Sequence, residues 1–301
     1  MTGPAAPAFD RTARIGAGLT LLAASGFAAV SILTSVAMRY GLSLTNVLTW
    51  RYVLSALVLV VWVVASGQAR RLPTRDMLMW LVVGGGGQAL MIYLALSSLA
   101  YISAGTLAFL FYTYPVWVTI VQALRGAERL DARRAAALAL SFAGTAVMVG
   151  APELGGTASR GVALALVAAV IYGVMIPALQ WMQKDWPVLV TSAWSKIGAA
   201  ACFVIASAGD QTFQFAMPSA AWGAIVALTL WSTVLPSVFF LMGLMRLGPV
   251  RTAIISTIEP FLTALLGVVV LSQPLTPRTL VGGAAIVAAV IVLQIRTRRA
   301  A

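Results

Sequence analysis

The sequence predicts an all-α polytopic membrane protein: ten transmembrane helices arranged as two inverted five-helix repeats around a central midplane cavity. Three observations carry this expectation. Of 301 residues, 61% are hydrophobic and only 9% charged, too few charges to cover the surface of a soluble domain of this length. The apolar residues come in blocks of about 20, the helix length that crosses a hydrocarbon layer of ~30 Å. Residues 16–150 can be laid on residues 161–295 at one constant displacement of 145 positions, without gaps.

In chain order, residues 1–14 (MTGPAAPAFDRTAR) form a polar lead. A full-length span follows it, rather than a short apolar region with a small-residue cleavage site, so it reads as a cytoplasmic lead and not a cleavable signal. The first repeat, 15–150, contains spans at 15–38, 44–65, 77–97, 102–124 and 133–150. An external linker, 151–160, leads to the second repeat, 161–295, with spans at 161–183, 187–207, 220–243, 251–272 and 279–295. Residues 296–301 form a cytoplasmic basic tail. Loops are short throughout, and no soluble domain is attached.

The net charge of +12 is topological. Of 20 lysines and arginines, Arg51 and Lys196 fall inside spans; with the N-terminus inside, 15 of the rest are cytoplasmic, and only Arg39, Arg160 and Arg278 are external. This bias places both termini in the cytoplasm. No basic patch interleaves with exposed aromatics as binding to single-stranded nucleic acid requires, so no nucleic-acid partner is expected.

At the displacement of 145, Gly16 falls on Gly161, Phe27 on Tyr172, Arg51 on Lys196, Pro115 on Pro260 and Arg133 on Arg278. Overall identity is low; the coincidence of a cation, a mid-span proline and a loop arginine is the telling part. Five spans per copy is an odd number, so the second copy enters from the opposite side. Such inverted repeats are a hallmark of alternating-access carriers, with the substrate site near the midplane between copies.

The first copy ends YISAGTLAFLFYTYPVWVTIVQALRGAERLDARRAAALALSFAGTAVMVG, and the second GPVRTAIISTIEPFLTALLGVVVLSQPLTPRTLVGGAAIVAAVIVLQ. In both, Glu-Pro or aromatic-Pro in the fourth span precedes a loop and a glycine-containing fifth span. This order resembles the repeat of the drug/metabolite transporter superfamily, EamA-type, over nearly the whole chain. The aromatic-Pro of the first copy looks like the aromatic amino-acid exporter branch. The resemblance implies a secondary carrier exporting amino acids or related metabolites from the bacterial cytoplasm. One departure is Gln273-Pro274, where the first copy has Glu128-Arg129.

Among eight acidic residues, Asp10, Asp76, Glu128, Asp131, Glu153, Asp185 and Asp210 fall in or beside loops, and only Glu259 lies deep in a span. An ionised carboxylate there must face a cavity, meet a cation or take up a proton. It is either a polar substrate contact, a proton-coupling group, or a structural acid serving backbone groups freed by Pro260. Arg51 and Lys196 are the two buried cations. Either they snorkel to the interface or at least one lines the cavity and meets a carboxylate, of Glu259 or of the substrate. Lys196, flanked by small residues in SAWSKIG, has more room.

Pro115, Pro177, Pro236 and Pro260 fall within spans, where each removes a helical hydrogen bond; they are hinge candidates or static kinks. Tyr114 precedes Pro115 where Glu259 precedes Pro260, and Tyr172 pairs with Phe27. Gln88, Tyr93, Trp231 and Ser232 add polar or amphipathic groups at mid-depth. Together these residues suggest a pocket with π-faces and few charges, suited to a zwitterion with an apolar side chain. The glycine run at 84–87 lacks a Gly-Lys-Ser/Thr end and a preceding strand, so it reads as close helix packing rather than a phosphate loop.

No cofactor and no metal site are expected: histidine is absent and Cys202 is the single cysteine. An intramembrane enzyme would need a catalytic set that the sequence lacks. Two inverted copies favour a closed central site over a continuous channel. Drug efflux and nucleotide-sugar transport are the rival cargoes. The first would want uncompensated buried acids, the second more buried cations. The expected partners are a small-molecule substrate and the lipid bilayer, and the chain is expected to be a monomer or weak homodimer.

Overall fold

An apolar chain in lipid must satisfy its backbone internally, and helices do so segment by segment. The computed structural model describes residues 9–127, 131–150, 158–183, 186–271 and 275–294, and all regular structure among them is helical. Residues 1–8, Glu128, Arg129, Glu153 with most of the linker, Lys184, Asp185, Gln273, Pro274 and the 296–301 tail lie outside the described residues.

Among the described residues, nine helices are long and apolar enough to span: span 1 (Arg11–Met38), span 2 (Leu44–Ala65), span 3 (Thr74–Ala100), span 4 (Ala104–Leu124), span 5 (Ala132–Val149), span 6 (Ala158–Gln183), span 7 (Val188–Gly209), span 8 (Ser219–Leu247) and span 9 (Pro249–Val270). A shorter apolar helix, Pro277–Leu293, completes the second repeat as span 10. Helix starts carry the expected caps: Ser43, Ser103 and Asp131 accept from the backbone N–H groups of Asn46, Thr106 and Arg134 at 3.1, 3.2 and 2.7 Å. Spans 3 and 8 extend beyond their predicted ends because helix continues through the less apolar flanks. Only Gly248, at φ 79°, separates span 8 from Pro249 at the start of span 9, a conformation that favours glycine.

Spans 1 and 8 pack together, as do 6 and 3; span 4 lies on 6 and span 9 on 1; spans 2 and 7, 4 and 9, and 5 and 10 pair with one another. Exchanging the two repeats maps this set of contacts onto itself, as a two-fold axis requires. Spans 5 and 10 meet at Gly144, where an added Cβ would come within 2.6 Å of the Gly282 carbonyl, so the helices touch backbone to backbone.

The irregularities are paired as well. Span 4 is interrupted after Phe111 and resumes at Tyr114; span 9 is interrupted after Ser256 and resumes at Glu259, each end displaced by 145. Span 3 is π-helical over Trp80–Gly86 and span 8 over Leu230–Val234, just ahead of Pro236. Span 6 runs through Pro177 without a break. Span 1 instead breaks at Ala29, with no proline of its own, and the Thr263 hydroxyl of span 9 donates to the Ala28 carbonyl at 3.0 Å.

Candidate substrate site

At both proline breaks the freed carbonyls find new donors. The Thr113 and Thr257 hydroxyls donate to the Leu110 and Ile254 carbonyls at 2.7 and 2.6 Å. In span 9 the Thr257 N–H turns to Ile254 (3.2 Å), which deprives the Ala253 carbonyl of its usual donor four residues on. Tyr114 supplies one: its hydroxyl donates to the Ala253 carbonyl at 3.2 Å. The residue beside one break therefore seals the other. Tyr114 is fully buried, so a group predicted to face substrate also carries this structural bond.

Around it stands an aromatic cluster. Tyr114 and Tyr172 have ring centres 4.7 Å apart, Phe111 stacks on Tyr172 at 5.7 Å, and Tyr112 lies 6.0 Å from Tyr114. Phe240 joins Tyr172 at 6.4 Å to Phe27 at 6.2 Å, linking the two aromatics that the repeat makes counterparts. Glu259, the first residue of the second half of span 9, is within electrostatic reach of Tyr112, Tyr114 and Tyr172. Sequence reading missed Tyr112. The signal was a second tyrosine two residues before Tyr114, which a continuous helix would point elsewhere.

The second group is cationic. Lys196 is 2% exposed and donates from Nζ to Gln88 Oε1 at 2.6 Å; Arg51 is 3% exposed and donates from Nε to Thr233 Oγ1 at 2.7 Å. Position 88 displaced by 145 is position 233, so each cation grips the equivalent site on the π-distorted span of the opposite repeat. Arg51 Nη2 also reaches the Ser232 carbonyl at 3.4 Å, an acceptor within the π segment. Neither cation snorkels, and neither is ion-paired to Glu259. The glycine run makes the Lys196–Gln88 contact possible: a Cβ on Gly85 would fall 2.5 Å from the Ser195 carbonyl and 2.6 Å from Gly198 Cα. This is the close packing that the run predicts.

Between the two groups lies a cavity of about 40 Å³, lined by residues including Trp80, Gln88, Tyr172, Ser192 and Lys196. That volume is far below the ~300 Å³ at which small-molecule pockets begin. Admitting a metabolite requires the spans to separate. Trp80, missed from sequence, is buried and also lines a second cavity of about 210 Å³ with Arg75, Asp76, Trp181 and Trp186, where Trp186 Nε1 donates to Asp76 Oδ2 at 3.0 Å.

Of the predicted pocket residues, Gln88, Tyr172 and Lys196 line the central cavity, while Tyr114 and Glu259 stand in the adjoining aromatic cluster. Ser232 is buried beside Arg51. Tyr93 and Trp231 do not line this cavity and are 42% and 55% exposed.

Two segments of the chain, 14–150 and 159–295, match the model of the EamA-like transporter family, and their starts and ends share the displacement of 145. The chain belongs to the EamA-like transporter family. Each family unit thus coincides with one five-span repeat, and this EamA protein is a multi-pass membrane transporter of small molecules. Among solved structures, 29 chains match. One, described only as "Crystal structure of protein", aligns with a TM-score of 0.80 at 21% identity, covering 94% of this chain and 97% of its own. That likeness concerns the fold. No curated protein matches in sequence.

Proposed function

We propose that this protein is a secondary transporter that exports amino acids, aromatic and other neutral ones, or related metabolites, across the bacterial inner membrane by alternating access. The observation that carries this reading is Glu259 among Tyr112, Tyr114 and Tyr172 at the paired breaks of spans 4 and 9. A carboxylate beside π-faces suits an ammonium group next to an apolar or aromatic side chain. The interruptions lie at two-fold-related positions, where opposite bending would open alternate sides. The sequence has no nucleotide-binding motif, so movement follows gradients. The cytoplasmic excess of basic residues supports placing both termini inside, with the bilayer as the chain's surroundings and no nucleic-acid partner. We further propose a monomer or weak homodimer.

Efflux of organic cations is the second reading, favoured by the same carboxylate among aromatics and opposed by the buried charges of Arg51 and Lys196. Export of labelled tryptophan, phenylalanine and threonine from reconstituted vesicles tests the proposal. Transport of one or more supports it; silence across a broad amino-acid panel, with movement of a lipophilic cation, replaces it with drug efflux.

A further inference from the structure

Lys196 and Arg51 are buried positive charges, and among the described residues no carboxylate is paired with either. Both keep unused hydrogen-bonding capacity. Among the described residues, Arg51 Nη1 is buried without an acceptor, and the Lys196 ammonium, with three donors, donates to one acceptor, Gln88 Oε1. One helical turn before Lys196, the Ser192 hydroxyl is buried without a partner and lines the same cavity. Gly84, in the same lining, is packed close: a Cβ there would lie 2.9 Å from the Trp80 ring and 3.3 Å from Ser195 Cβ. The two cations lie near one ring: Arg51 Cζ is 5.1 Å and Lys196 Nζ 5.8 Å from the centre of Tyr52, hence within about 11 Å of each other. Two like charges in a low-dielectric interior with unsatisfied donors call for an anion. Glu259 is not that anion, because it stands with the tyrosines.

We propose that this corner of the cavity is an anion subsite for the carried molecule. Lys196 Nζ and the Ser192 hydroxyl take a substrate carboxylate, Gln88 Oε1 holds the Lys196 ammonium in place, and Arg51 adds positive potential from beside the same Tyr52 ring. The carboxylate is then an obligatory part of the cargo, with the apolar end directed toward Tyr172. This inference rests on the cavity being the transport site.

The test measures thermal stabilisation of the full-length protein in detergent by phenylpropionate, phenylpropionamide, phenethylamine and phenylalanine. Phenylpropionate should bind wild type about tenfold more tightly than its uncharged amide, the difference expected of one charge-assisted hydrogen bond. Lys196→Gln should abolish that preference and Lys196→Arg should retain it, a pattern that a merely structural lysine would not give. Equal binding of acid and amide, an unchanged preference in Lys196→Gln, or no stabilisation by either carboxylate overturns the proposal. Binding of phenylpropionate with none of phenylalanine overturns the amino-acid reading and leaves the anion subsite standing.

Discussion

Tyr114 ties together two interruptions that lie in different repeats: it sits one residue before Pro115, and its hydroxyl closes the carbonyl that the span 9 break sets free. Tyr114→Phe leaves that buried carbonyl unpaired and should cost ~1–3 kcal/mol, read as a lowered unfolding temperature in detergent. Tyr114→Ala also removes the ring beside Tyr172, so phenylalanine transport should fall more than valine transport. Glu259→Gln keeps shape and removes charge; we expect a folded protein whose export is at least tenfold slower, measured in vesicles. Tyr114 and Glu259 were legible because proline marks a break and the repeat makes them counterparts. Tyr112 was not, because its orientation is set by the turn at Tyr112-Thr113. Helical periodicity, carried through that turn, assigns it the wrong face.

At the scale of elements, the contact of span 3 with span 7 decides whether Gln88 reaches Lys196. A Cβ on Gly198 would run into the Leu81 carbonyl, backbone against side chain, where nothing can rotate away. Gly198→Ala should therefore destabilise the protein by ~1–3 kcal/mol. Gly223→Ala, on the exposed face of span 8 with no atom within 4 Å of its Cβ, should be neutral or slightly stabilising. Thermal unfolding of the two variants separates packing from propensity. The glycine run announced a close approach, yet the π-helical turns of spans 3 and 8 were unreadable. Each shifts the hydrogen-bond register locally without a composition of its own. Proline was an uneven guide: Pro115 and Pro260 mark breaks, span 6 accommodates Pro177, and span 1 breaks at Ala29, where Thr263 supplies a donor from a distant segment. That compensation is tertiary, so no local pattern encodes it.

The whole molecule is governed by exchange of its halves. Arg51 on Thr233 and Lys196 on Gln88 are the same contact made twice, each reaching from one repeat to the other, and the breaks of spans 4 and 9 coincide at the same displacement. This symmetry was legible because a constant displacement survives low identity. The residues that depart from it, Tyr114 against Glu259 above all, are where one copy specialises. Inverted insertion makes a topological prediction: with Cys202 replaced by serine, cysteines placed at the exposed positions Gln68 and Gln211 should be labelled from opposite sides, Gln68 from the cytoplasm. The most direct test of the central claim is counterflow of labelled phenylalanine into vesicles containing the purified protein. Preloading unlabelled phenylalanine should accelerate uptake in wild type and do so far less in Glu259→Gln. Uptake that preloading does not accelerate for any aromatic or neutral amino acid, or a Glu259→Gln response equal to wild type, would contradict it.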